Sequence, residues 1–241
     1  MPTRKTKKNA CFKEYASFIG DKLASKLFFV ESSFKPTGEA NLSTACFYSD
    51  MDLIGYCVST DKRRNLYLGC GREPNPKFTN LDVLPADGVD VVADLEMGPD
   101  DRLPLEDDGF DCLYSHMTLE HIKNTLRLGE ELWRITRHTG ILYAHVPWWS
   151  SYRTWGDPTH VKAFSEQSFS FWSQDHYEKS AGAKGCMGQY NPKMNWKVMG
   201  HILVLCDNQR GKTKKDLNFA CAHLTNVISH LFVILQCYKP T

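Results

Sequence analysis

Leu66-Tyr67-Leu68 runs directly into Gly69-Cys70-Gly71. A glycine loop after a buried strand lets the backbone approach a ligand closely and take turns that a Cβ disfavours. Further along, Asp82 and Val83 close a second apolar run, Asp94 and Leu95 a third, and Ser115 and His116 a fourth. In open α/β sheets ligands bind outside the carboxyl ends of the strands. A carboxylate at Asp82 can accept from both hydroxyls of a ribose. One at Asp94 can accept from an adenine amino group while Leu95 covers the ring. Each aspartate taken singly reads equally well as a helix cap or a turn residue. The ordered series carries the weight. The expected cofactor contacts are Leu68, Gly69, Cys70, Gly71, Asp82, Val83, Asp94, Leu95, Ser115 and His116.

A dinucleotide is the first cofactor to weigh. Its fingerprint needs G-x-G-x-x-G and an acid about 20 residues further on. Here Gly71 is followed by Arg72-Glu73-Pro74-Asn75-Pro76, with no third glycine, and Asp82 comes early. The two prolines shorten or abolish the helix that would hold a pyrophosphate. A cofactor with ribose and adenine but no phosphates fits better, and S-adenosylmethionine is the common one.

A second set of residues suits the acceptor side. Trp155-Gly156-Asp157-Pro158-Thr159-His160 follows the fifth apolar run. A histidine titrates near neutrality, so His160 can serve as a base with Asp157 orienting it. The same two residues can instead pin a turn before Ser165-Glu166-Gln167-Ser168. His116 is expected beside the reacting methyl, Glu120 at the cofactor or a helix end, and His121 in a packing role. His116 and His121 are spaced i,i+5, on different helix faces, and no third ligand is evident. No metal is therefore expected. Trp148, Trp149, Tyr152, Trp155, Phe164, Phe169, Phe171 and Trp172 can line an acceptor pocket or fill a core, and mixed use is expected.

The elements that must position these groups follow from the apolar pattern. Leu66–Leu68, Leu81–Val83, Val89–Ala93, Phe110–Tyr114 and Ile141–Val146 read as strands. Thr125–His138 has helical spacing, with Gly140 as its stop. Trp196–Cys206 and Leu231–Tyr238 read as two more strands, with a helix between residues 217 and 229. Alternating strands and crossovers imply a parallel sheet. Residues 10–30 carry Phe12, Tyr15, Phe18, Ile19, Leu23 and Leu27 at helical spacing. Leu53–Val58 reads as a strand or a short helix. We expect an N-terminal cap over residues 1–61 and the catalytic domain over 62–241.

The 241 residues suit one domain with an appendage, and the net charge of +1 gives no global pull toward nucleic acid or anionic lipid. The basic residues Arg4, Lys5, Lys7 and Lys8 read as a solvated terminus. Nine cysteines without a C-x-x-C pair, mostly in apolar runs, read as buried thiols of a reducing compartment. No apolar stretch is long enough for a membrane span, and no secretory h-region follows the basic start. The expected location is cytoplasmic.

The run from Asn65 to about Trp172 resembles class I S-adenosylmethionine-dependent methyltransferases, in particular the broad type 11-like group. LYLGCG resembles motif I, Asn80-Leu81-Asp82 the acidic end of strand two, and Val92-Ala93-Asp94-Leu95 the adenine-side motif. Leu103-Pro104-Leu105 through Phe110-Asp111 resembles the lead into strand four. Ser115-His116-Met117-Thr118-Leu119-Glu120-His121 resembles the segment after it, and Gly140–Pro147 strand five. Asp157-Pro158-Thr159-His160 is similar to a segment found in many members. The resemblance implies a Rossmann-like, mostly parallel seven-stranded sheet with an antiparallel C-terminal strand, joined by an N-terminal helical cap. It implies in-line methyl transfer, which asks mainly for positioning. A small-molecule or glycan acceptor is expected. A nucleic-acid acceptor is less favoured, because the fourth strand ends in Ser-His-Met-Thr and lacks the Pro-Pro or Pro-Cys signatures of DNA enzymes. A non-catalytic cofactor-binding protein is the third reading.

Overall fold

The computed structural model describes residues 28–30, 44–48, 64–180 and 192–240. Nine strands form one sheet: β1 Phe28–Val30, β2 Thr44–Tyr48, β3 Asn65–Leu68, β4 Thr79–Asp82, β5 Val91–Val92, β6 Phe110–His116, β7 Thr136–Pro147, β8 Trp196–Leu205 and β9 Ile228–Cys237. Their order is β1-β2-β8-β9-β7-β6-β3-β4-β5. From β5 to β7 every neighbouring pair is parallel. β9 is antiparallel to both β7 and β8. The seven strands β3–β9 are thus the expected mixed sheet with its antiparallel C-terminal strand.

The sheet continues past that frame. β2 lies parallel to β8, and β1 is antiparallel to β2. The described part of residues 1–61 is therefore strand, and Phe28–Val30 is extended although it falls within the stretch read as helical. The remaining positions of that stretch, and Leu53–Val58, lie outside the described residues.

Four helices are described: α1 Thr125–Ile135, α2 Tyr152–Gly156, α3 Gln174–Ser180 and α4 Lys214–His223. In α1, Leu128, Leu132 and Ile135 are fully buried, a stripe at helical spacing that packs with Leu66, Leu68, Leu113 and Leu142 on one sheet face. Asn124 caps the start by accepting from the Arg127 N–H at 3.2 Å. The helix stops at Ile135, before the expected His138. Thr136 is β-branched, already pairs with Phe110 of β6, and donates its hydroxyl to the Leu132 carbonyl at 2.6 Å. Gly140 therefore sits inside β7. The other sheet face is aromatic: Tyr67, Tyr114, His116 and His145 follow one another across three strands.

The long crossover from β5 to β6 has no helix of its own. Glu131 of α1 pins it. Its buried carboxylate accepts the Leu103 N–H at 2.8 Å and binds the Arg134 guanidinium, which donates in turn to the Leu105 carbonyl at 2.9 Å. Cys70, Cys112, Cys206, Cys221 and Cys237 are free, and burial raises the pKa of each, to about 12 for Cys112 and Cys237. These thiols stay protonated and inert at neutral pH. Among the described residues, no helix is long and apolar enough to cross a membrane.

Candidate functional site

The strand order reverses between β3 and β6, and this switch point is where an α/β sheet opens a crevice. The chain leaves β3 through Gly69, whose φ is +63°. A Cβ there would lie 2.5 Å from two atoms of Thr118, which folds over the loop from the end of β6. The Thr118 hydroxyl reaches the Leu68 carbonyl at 3.2 Å and the His116 carbonyl at 3.0 Å, tying the two strand ends together. Met117, between them, is itself left-handed at φ 53°, an uncommon state for a side-chain-bearing residue that clusters at functional sites. No helix follows Gly71. Residues 71–78 form turns around Pro74 and Pro76 instead.

A cleft of about 350 Å³ opens at these strand ends, within the range of small-ligand sites. Gly69, Asp82, Val83, Asp94 and Leu95 line it, together with Ala93, Glu96, Met117, Thr118, His121 and Ile122. Asp82 is held from behind: one oxygen accepts the Gly71 N–H at 2.8 Å and the other the Leu84 N–H at 3.1 Å. A carboxylate has about four acceptor positions, so each oxygen keeps capacity for a diol. Asp94 accepts the Glu96 N–H at 2.8 Å through one oxygen, beside the buried Leu95. Glu96 uses both oxygens to hold the backbone N–H groups of Lys123 and Asn124, fixing the far wall to the start of α1.

The other residues singled out in the sequence lie elsewhere. Leu68 and Cys70 are buried, Gly71 is exposed, and Ser115 is fully buried with a hydroxyl that makes no hydrogen bond. His116 points to the aromatic face and stacks on His145, ring centroids 4.8 Å apart. Period-two alternation explains the split: Leu68 and Ser115 face the core side, and His116 the opposite side. Met117 and Thr118 carry no site signal in the sequence, and His121 reads there as a packing residue, because all three follow the strand end. Periodicity marks where a strand stops, and the left-handed turn at Met117 decides what comes next.

A polar cluster adjoins the cleft through His121. Glu120 and His121 sit in the 3-10 turn Leu119–His121, and the Glu120 carbonyl accepts the N–H groups of Val161 and Lys162 at 2.9 and 3.2 Å. That clamp sets His160 against the turn, with the two histidine rings edge to face at 4.7 Å. The His160 side chain is 7 % exposed; its Nδ1 bonds the Thr154 carbonyl at 2.9 Å, and its Nε2 lies 3.9 Å from both Glu120 and Asp157. The Thr159 hydroxyl donates to Asp157 at 2.6 Å and bonds His121 Nδ1 at 3.0 Å. Glu120 is fully buried, and burial pushes its pKa up to about 7. The aromatic residues divide between core and surface. Trp148, Phe164, Phe169 and Trp172 are buried, while Trp149, Tyr152 and Trp155 are exposed beyond β7.

Residues 67–144, from β3 into β7, match the family model described as a methyltransferase domain. This segment, about a third of the chain, holds the cleft, and its strands have the arrangement of a Rossmann-like methyltransferase sheet. S-adenosylmethionine is the cofactor of such a domain, and a glycine cradle without room for a Cβ, an aspartate with free acceptor capacity and the buried Leu95 side chain at one cleft fit it. No curated protein matches the chain. Among solved structures it is similar to an S-adenosylmethionine-dependent methyltransferase of Archaeoglobus fulgidus, with 14% identity, TM-score 0.46, and 72% of this chain and 86% of that one covered. It is similar to the YcgJ protein of Bacillus subtilis, with 11% identity, TM-score 0.47, and 75% and 94% covered. It is also similar to phosphoethanolamine N-methyltransferase 2 of Haemonchus contortus in complex with S-adenosylmethionine, with 12% identity, TM-score 0.42, and 73% and 49% covered. With TM-scores below 0.5, none of these likenesses carries an acceptor over to this chain.

Proposed function

We propose that this chain transfers a methyl group from S-adenosylmethionine to a small-molecule or glycan acceptor. The observation that carries the reading is the cleft at the switch point, where Gly69, Asp82, Asp94 and Leu95 meet around one space. Asp82 would accept from the ribose hydroxyls, Asp94 from the adenine amino group, and Leu95 would cover the ring. When bound, the cofactor supplies a methyl group already activated on a sulfonium, so no covalent enzyme intermediate is needed. The residues of the chain then have positioning and desolvation to supply. His121, on the cleft wall, is the histidine placed to meet an acceptor proton. His160, one ring further away, and Asp157 orient it rather than touch the cleft.

Calorimetry with S-adenosylmethionine and S-adenosylhomocysteine tests the reading. Both should bind in the micromolar range, and Asp82→Ala should weaken them at least tenfold, since a buried-face acceptor for two hydroxyls is lost. Absence of binding to either would remove the proposal. A mass-shift screen for one added methyl over sugars, nucleotides, small acids and protein extracts then names the acceptor. Activity on RNA or DNA that falls steeply with salt would move the acceptor class to nucleic acid.

A further inference from the structure

Glu120, His121 and His160 form a group of which only His121 lines the cofactor cleft. Each offers one ligand atom, and these atoms all lie within 4.8 Å of one another. Two ligands about 2.1 Å from one tetrahedral ion lie roughly 3.4 Å apart, so small side-chain rotations would close the set on an ion. Neither oxygen of the fully buried Glu120 carboxylate has a hydrogen-bond partner among the described residues. A buried carboxylate without partners is costly, and a bound cation would remove that cost.

The tautomers support the same reading. A carbonyl can only accept, so the contact from His160 Nδ1 to the Thr154 carbonyl puts the ring proton on Nδ1 and the lone pair on Nε2. That nitrogen is the one 3.9 Å from Glu120 Oε1. The Thr159 hydroxyl spends its proton on Asp157, so its oxygen accepts from His121 Nδ1 and leaves that lone pair on Nε2 as well. Metal-ligating histidines are held in this way, through the second nitrogen, by a carbonyl or a hydroxyl–carboxylate relay.

We infer that Glu120, His121 and His160 bind a divalent transition-metal ion at the wall of the cofactor cleft. Two imidazoles and one carboxylate suit zinc, cobalt(II), manganese(II) or iron(II) better than calcium or magnesium, and they leave coordination positions open. His121 belongs to both the ion site and the cleft; with an ion bound its one lone pair is taken up, so an open coordination position, in place of the free imidazole, would meet the oxygen of the acceptor. That role rests on the methyltransferase reading; the binding of the ion does not.

The test uses the full chain, treated with chelator and titrated with cobalt(II). One equivalent should bind, with visible d–d bands and no near-ultraviolet thiolate band. Glu120→Gln and His160→Gln should each weaken binding at least tenfold, and Thr159→Val, which removes only the hydroxyl that orients His121, about tenfold. S-adenosylhomocysteine calorimetry on the same ion-free samples reports whether each variant is folded. Failure to bind cobalt(II), a thiolate band, or unchanged affinity in folded Glu120→Gln and His160→Gln would overturn the ion site. Binding of cobalt(II) without either nucleoside would uphold the ion site and remove the methyltransferase reading alone.

Discussion

A methyl group at residue 69 has nowhere to go. Gly69→Ala would place its Cβ 2.5 Å from Thr118 on a backbone at φ +63°, and the backbone part alone costs about 1–2 kcal/mol. The expected outcome is a lower unfolding midpoint and at least tenfold weaker S-adenosylmethionine binding; adding Thr118→Ala should recover part of the loss by relieving the contact. A second prediction at this scale concerns pH. Burial lowers the pKa of His201 and His230 to about 4, and that of His145, which faces His230 and His116, well below 6.5. The unfolded chain binds protons on these rings near pH 6.5 and the folded chain does not. Stability is thus present above pH 6.5 and falls as pH drops toward 4, by about 1.4 kcal/mol per pH unit for each ring involved. Thermal melts between pH 7.5 and 4.5 should show this slope, and His230→Gln should flatten it; an unchanged slope would assign it to other groups. The residues at strand ends were legible in the sequence because alternation and glycine mark them. Glu120 is singled out there too, at the cofactor or a helix end, but its burial is not legible, since it depends on a clamp from residues 161 and 162, forty positions away in the chain.

At the scale of elements, α1 shows how close packing is obtained at the expense of helix propensity. Gly129 is mid-helix, where glycine costs about 1 kcal/mol relative to alanine. Propensity alone would predict that Gly129→Ala stabilises. A Cβ there would meet Met194 Sδ at 2.8 Å and the Trp172 ring at 3.0 Å, and the Gly129 carbonyl accepts from the buried Trp196 indole at 3.1 Å. We expect Gly129→Ala to destabilise by about 1–3 kcal/mol, read from denaturant titration. Glu131→Ala should cost about 1–3 kcal/mol, because it leaves the Leu103 N–H unpaired and Arg134 with Asp107 as its remaining carboxylate, loosening the Leu103–Asp107 crossover. The seven strands β3–β9 and the position of α1 were readable from periodicity. The end of α1 at Ile135 was not, because it is set by the pairing of Thr136 with Phe110 across the sheet. The strands β1 and β2 escaped for the same reason: short runs take their state from a partner far along the chain.

On the scale of the whole molecule, the sheet falls into two regions. β3 to β7 is contiguous in sequence and carries the cleft, whereas β2 and its neighbour β1 join the sheet only through β8. Ala45→Pro should remove a backbone donor from β2 and cost about 1–3 kcal/mol, yet leave S-adenosylmethionine affinity unchanged, because the two regions lie at opposite ends of the sheet. Parallel changes in both quantities would join the edge strands to the site. The register Ala45↔Ile202 also bears on how the chain is made. At about 5–20 residues per second, a ribosome needs roughly 8–30 s to travel from β2 to the strand that will receive it. During that interval the segment 65–147 can assemble its parallel strands as it emerges, while the N-terminal strands wait with open backbone edges. Strands made before the cleft are thus secured after it, and any cellular factor that shields strand edges would act on them first.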